Sequence, residues 1–558
     1  MTRSLSPKSS VDVLKQDAKR WLAALRRAEP DARARLMAVW PTAPAAPTLR
    51  DVQQALAREY GMADWKALLV ALDALALDRQ SHAERVAVLL RHGWDGDAAL
   101  ARRIVARYPA VRRDNLFVAA ACGEVDEVRR LLANDAALAH ATDPARGWTA
   151  LLHVAYGRLD AEQAVAIAQL LLDAGADPNA RFDDGWGNPF TAVTGVIGQG
   201  EGVKPTHPQA AALTALLLER GADPFDTQAL YNTSIVNDDV TWTALLWEQC
   251  DPSTRMAVWS RVDGPALGGK IKVGTLNYLL GNAVSSGHLL RAQWLLQHGA
   301  SANTVHSYSG HRVHTMARLA GNTAMAALLE AHGATVEPLQ GERALMAALM
   351  AGEEAAVRAL VATQPSALRS PAVLHAAASK GNATAVSLAL ELGAAVNATD
   401  FEGATALHQA AHAGSLAVVD VLLGAGAEVD VRERKWQGTP MSWACVLGRH
   451  AVAERLAPLT RDVRALARTA RLARLQEVLQ ESPALANHQI PTVDQPTPLF
   501  CLPDDEHDAA AVATVLLFHG ANPATKNAAG QTAEQAARRR GLDEAADLMA
   551  QRMAAFAP

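Results

Sequence analysis

Apolar and small residues recur along most of this chain in short helical bursts, each broken by glycine and followed by a polar stretch. The pattern is plainest in ATALHQAAHAGSLAVVDVLLGAGAEVD, residues 404–430. There Leu407, Ala410 and Ala411 share one face of a first predicted helix, and Leu422 and Leu423 close the core from a second. Thr405 stands where the first helix begins, and its hydroxyl can cap free backbone amides. At Thr439-Pro440 a proline follows at the first helical position, where its missing N–H costs nothing. Gly414 permits the left-handed turn that ends the first helix, and Gly426 ends the second.

The segment PAVLHAAASKGNATAVSLALELGAAVN (371–397) aligns with that unit without a gap, Gly393 and Gly426 lying 33 residues apart. The ending returns as LLLDAGADPN, LLLERGADP, WLLQHGASAN, LLEAHGA and VLLFHGANP. The period and the T-x-L-H…A-A…G…L-L…G-A skeleton together resemble ankyrin repeats. The resemblance implies an all-α solenoid of helix-turn-helix units with hairpin fingers, whose core comes from stacking because one unit cannot bury its apolar face alone. About twelve units are expected over residues 114–553, with QTAEQAARRRGLDEAADLMAQRM (531–553) a polar C-terminal cap. The array is irregular at 226–285, where the T-P-L-H pattern lapses.

Ahead of the array, Val11, Leu14, Ala18, Trp21, Leu22 and Leu25 mark an amphipathic helix. The proline-rich PTAPAAPT (41–48) follows, then two helices broken at Gly61 with Asp64 a candidate cap. AREYG-x3-W-K-x-L resembles a small helical module placed ahead of bacterial ankyrin arrays. The expected organisation is a helical module over 1–78, a helix pair over 79–113 and the solenoid over 114–553.

Composition narrows the function classes. Half the residues are hydrophobic but only 5% are aromatic, which favours small stacked helices over β-sheet. A net charge of −5 argues against bulk nucleic-acid binding. Residues 1–60 carry 11 Lys and Arg against 6 Asp and Glu, read as a solvated helix face rather than an anionic docking arm. Four scattered cysteines without CxxC spacing suit reduced thiols. With no signal-like start and no apolar run long enough to span a membrane, the expectation is a soluble, cytoplasmic monomer.

The family resemblance implies recognition of a protein partner on a concave, finger-lined face. Candidate partner-binding residues are Asp184, Trp186 and Asn188 in one finger, His306, Tyr308, His311 and Arg312 in a second, and Arg434 and Trp436 in a third. Trp, Tyr and Arg are the types enriched at interface hot spots, although bulky finger residues also pack on the next finger. The irregular centre offers an alternative, a small-molecule pocket or unusual enzyme site built from Tyr231, Asn232, Asp238, Trp242, Trp259, Lys270 and Tyr278. A repaired junction between two half-arrays explains the same residues, and is preferred.

Sharper motifs fail. Gly264 to Lys270 fits G-x4-G-K, but Ile271 replaces the magnesium-binding Ser or Thr. His306, His311 and His314 lack a Cys or carboxylate at ligand spacing, and PDDEHD (503–508) lacks the glycine of a calcium loop. No catalytic residue, metal or cofactor is expected. His375 and His408 occupy the T-x-L-H histidine and are read as braces of the turn. The leading expectation is an interaction scaffold for a protein partner.

Overall fold

The computed structural model describes residues 3, 5, 11–94, 98–183, 189–200, 204–262, 271–490 and 495–554. Helix accounts for 61% of the chain, and the described residues contain one two-stranded sheet. The chain is all-α and built of repeated helix pairs. It divides into two compact units, one formed by 74–338 and the other by 1–73 together with 339–558.

In the unit 74–338, helices His82–His92 and Ala98–Arg107 lead into the pair Leu116–Ala121 and Val125–Asn134. Further pairs follow, from Ala150–Tyr156 with Ala164–Asp173 to Val313–Leu319 with Thr323–Ala331. Strands Arg181–Asp183 and Pro189–Thr191 pair antiparallel as a finger. The irregular centre still makes a helix pair, Thr227–Ser234 and Thr241–Gln249, because Asp226 replaces threonine as the cap and accepts from the Ala229 amide at 2.9 Å. Trp259, fully buried, then fills the stack beside Trp247, their ring centres 5.0 Å apart.

In the other unit, repeats run from Gly341–Ala351 with Glu354–Thr363 to Ala533–Arg539 with Asp543–Ala554. Its N-terminal part, helices Val11–Arg26, Pro30–Val39 and Leu49–Glu59, closes a separate small core around Leu14, Trp21, Leu36 and Leu56. Thr48 and Asp51 form a capping box, and Asp64 accepts from the Ala67 amide at 2.7 Å. The basic excess near the N-terminus is partly spent on ion pairs rather than left in solvent. Lys19 meets Glu506 at 3.1 Å and Asp543 at 2.8 Å, and Arg26 meets Glu544 at 2.9 Å. The acidic run at 503–508 is likewise engaged, with Asp505 capping Glu506–Phe518 and Asp504 paired to Arg540.

Fingers close by one recurring device. An acceptor five or six residues ahead of the capping threonine gathers backbone amides at the tip. Asp143 takes those of Ala145 and Arg146, Asp400 those of Glu402 and Ala404, and Asn527 those of Ala529 and Gln531. Short antiparallel bridges such as Thr142 with Thr149 and Thr399 with Thr405 complete the hairpins.

Candidate partner-binding face

The finger at 431–438 is organised by Glu433, a buried carboxylate that accepts from the amides of Lys435 at 2.6 Å, Trp436 at 2.9 Å and Gly438 at 2.9 Å. With its backbone fixed in this way, the finger projects Trp436, whose surface is 55% exposed. Lys435 lies over the indole, Nζ 4.3 Å from its centre. Arg434 ties this finger to the preceding one, donating its amide to the Glu402 carbonyl at 2.7 Å and Nη1 to the Phe401 carbonyl at 3.1 Å. Phe401, 84% exposed, therefore stands on the neighbouring tip. An apolar tip on each of two braced fingers is an arrangement suited to contact, since water gains nothing from either ring.

Behind the Trp436 finger lies a groove of about 660 Å³ that crosses the first helices of three successive repeats. Helix Ala406–Ala413 supplies Gln409 and His412, helix Pro440–Val446 supplies Ser442, Trp443 and Val446, and helix Val463–Arg468 supplies Arg464 and Arg468. Thr439 caps the middle helix through the Ser442 amide, with Pro440 following at its first position. Trp443 packs edge-on to His408, centres 5.2 Å apart, which anchors the floor. At the rim Val446 is 74% exposed and Leu447 41%.

Charge in the groove is asymmetric. Asp462 is fully buried, accepting from the Thr439 hydroxyl at 2.7 Å and the Ser442 hydroxyl at 2.8 Å, with Arg432 at 3.4 Å. Burial pushes this carboxyl up, but Arg432 and the two hydroxyls outweigh it and hold it below the usual carboxylate range. Arg464 has the opposite situation: among the described residues its Nη1 is buried without a hydrogen-bond partner. Arg468 donates to the Gln495 side chain and, among the described residues, pairs with no carboxylate. Cys445 also lines the groove, but burial pushes its thiol up to about 11 against the pull of Arg468, so it is a protonated wall group and a poor nucleophile at neutral pH.

The sequence-derived candidates scatter. Arg434 and Trp436 belong to the finger just described. His306, Tyr308, His311 and Arg312 lie on a finger of the unit 74–338, closed by the Val305–Arg312 bridge. In it the Nδ1 of His306 accepts from the Ser309 amide at 3.2 Å, and Arg312 pairs with Glu337 at 2.7 Å, while Tyr308 and His311 are exposed. Asp184, Trp186, Asn188 and Lys270, and with Lys270 the G-x4-G-K segment, lie outside the described residues.

The alternative set is spent largely on packing. Asn232 donates to the Gly198 carbonyl at 3.2 Å, and Asp238 caps helix Leu289–Gln297 through the Leu290 and Arg291 amides at 3.0 and 2.8 Å. Tyr231 and Trp242 pack half-buried against the core and Trp259 lies within it. Buried Tyr278 is the member that approaches the His306 finger, its hydroxyl 3.5 Å from that of Tyr308. Among the described residues no three His, Cys, Asp or Glu side chains are grouped to hold a metal ion, and no helix is long and apolar enough to cross a membrane. Sequence reading passed over Phe401, Val446, Leu447, Arg464 and Arg468. A findable signal was present: Val446 and Leu447 close an otherwise regular first helix, at positions where repeat logic calls for small or polar residues.

Comparison with known proteins bears on the repeats. Residues 374–467 match the family description "Ankyrin repeats (3 copies)", and residues 146–182 match "Ankyrin repeat". No curated protein sequence matches the chain. A solved structure described as the Bd0816 predatory endopeptidase from Bdellovibrio bacteriovorus in complex with immunity protein Bd3460 contains a chain 24% identical to this one. The match covers 32% of this chain and 96% of that one at a TM-score of 0.25, an overlap too small to bear on function. The two matched segments fall in separate units, and each coincides with the helix pairs and fingers seen there. The chain carries ankyrin repeats in both of its units.

Proposed function

We propose that the protein is an interaction scaffold that holds a partner protein on the face made by its fingers and first helices, centred on residues 401–468. The observation that carries this reading is the groove of about 660 Å³ across three repeats, rimmed by exposed Trp436, Val446 and Leu447. Trp is a side chain enriched at interface hot spots, and contiguous exposed apolar surface around a groove marks an interaction site. The repeat architecture supports it further, since stacked units keep a constant interior while finger and groove residues vary freely.

Affinity purification of the tagged full chain tests the proposal, with Trp436→Ala and Phe518→Ala compared against the unaltered protein. Phe518 is as exposed as Phe401 but ends the helix Glu506–Phe518 and does not line the groove. A stoichiometric protein retained by the Phe518 variant and lost from the Trp436 variant is the expected result. Equal retention by both would move the binding face elsewhere.

A further inference from the structure

Resting on that reading, we infer the chemistry of the partner: the groove takes an acidic polypeptide segment that carries a bulky apolar side chain. Three observations converge. Trp436, Val446 and Leu447 present apolar surface that a large aliphatic or aromatic side chain would cover. Beside them Arg464 lines the groove half-buried, and its guanidinium, whose Nη1 has no hydrogen-bond partner among the described residues, is an uncompensated, partly desolvated cation. Arg468 reaches the same groove one helical turn on.

Among the described residues the neighbouring carboxylates are unable to serve as that acceptor. Asp462 is consumed by Arg432, Thr439 and Ser442, and Glu433 by the amides of its own finger. Positive charge is therefore left over where apolar surface is left over. A carboxylate meets a guanidinium with two parallel hydrogen bonds, and it gains more in a partly desolvated groove than on an open surface. A peptide supplies both groups at once on neighbouring residues, whereas a small inorganic anion would leave Val446 and Trp436 bare.

The experiment is selection of a displayed random dodecapeptide library on the full-length protein, followed by binding measurements with a synthetic version of the enriched peptide. The expected result is enrichment of Asp and Glu next to Trp, Phe, Leu or Met. Affinity should fall about tenfold or more in Arg464→Gln, and likewise in Val446→Asp, which adds charge at an exposed position and so spares the fold. It should be unchanged in Arg474→Gln, whose guanidinium pairs with Glu477 instead. Raising salt from about 50 to about 300 mM should weaken binding several-fold. Melting temperatures of the variants separate lost binding from lost folding. Enrichment of neutral peptides that still require Trp436 and Val446 would overturn the acidic partner while leaving the groove as the binding face. A peptide that binds equally well after its apolar residue is changed to Ala, and that heparin fully displaces, would reduce the groove to a general anion patch and overturn the inference. Absence of enrichment, or binding indifferent to every groove variant, would overturn it too, and in the latter case the groove reading falls with it.

Discussion

Asp226 and Asp462 do the same work in the two units, yet their electrostatics are opposite. Each caps the first helix of its repeat, and each accepts hydroxyl hydrogen bonds from the cap and the third residue of the preceding repeat's first helix. Thr191 and Thr194 donate to Asp226, and Thr439 and Ser442 to Asp462. Both residues are buried. Burial raises Asp226 above the ordinary carboxylate range, and its hydrogen bonds do not restore it. Asp462 finishes below that range because Arg432 stands 3.4 Å away. The tie is thus a desolvated polar contact with no cation in one unit and a charge-stabilised one in the other. One cation, contributed by a finger, decides which.

The largest expected effect separates these two. Asp462→Asn removes the partner of a half-buried arginine and should cost about 3 kcal/mol, whereas Asp226→Asn should cost only about 1 kcal/mol because no charge pair is broken. Denaturant titrations of both variants make the measurement, and equal losses would break the comparison. The pH dependence follows from the same signs. A depressed carboxyl stabilises the fold above its unfolded pKa and loses that contribution as pH falls through the folded value, which is the case of Asp462. A raised carboxyl stabilises below the unfolded value and loses the contribution as pH rises, which is the case of Asp226.

In the unit 74–338 the acid response has a second source. Buried His207 is lowered to about 4 by desolvation first and by Arg158 second. Its folded pKa lies below its unfolded one, so the contribution is present above about pH 6.5 and lost between there and about pH 4, some ~3 kcal/mol in all. His207→Gln should flatten that limb, and stability measured from pH 7 to 4 in this background would then expose the Asp226 contribution with its opposite slope. An unchanged limb would remove His207 from the account.

The smallest effect concerns a tie with no carboxylate at all. In the repeat at 405–437 the cap and its neighbour are bridged by His408, whose Nδ1 accepts from the Thr405 amide at 3.1 Å while Nε2 donates to the Gly438 carbonyl at 3.1 Å. Burial holds this imidazole below its ordinary pKa, so it stays neutral and keeps one donor and one acceptor. His408→Ala should lower stability by about 1 kcal/mol and leave partner binding unaltered. Loss of binding at unchanged stability would place His408 in the recognition surface instead of beneath it.

Much of this architecture is legible in the residues. Gly414 and Gly426 do adopt the positive φ that ends each helix, Thr439 and Asp64 do cap, and Pro440 does sit at the first helical position, whereas the Thr405 hydroxyl, expected to cap, bonds the His408 Nδ1 at 3.0 Å and leaves the His408 amide to the Thr405 carbonyl. The finger acceptors were visible too, had the five- or six-residue offset from threonine been sought. The groove was less so. Arg434 and Trp436 stand out by type, but Arg464 looks like any surface arginine on an amphipathic helix. The groove it lines is completed by Gln437, Trp443 and Ile490, which arrive from other elements.

The sequence alone determined the period, the helix ends, the caps and the stacking core, because each is a local property of a turn or of a spacing repeated every 33 residues. Tertiary structure decided the rest: that the basic N-terminal helix meets acidic residues of the last repeats, that Arg432 charges one of two equivalent aspartates, and that Arg464 ends without an acceptor beside exposed Val446. These are balances of burial against charge among residues distant in the chain, and they exist only once the chain has folded.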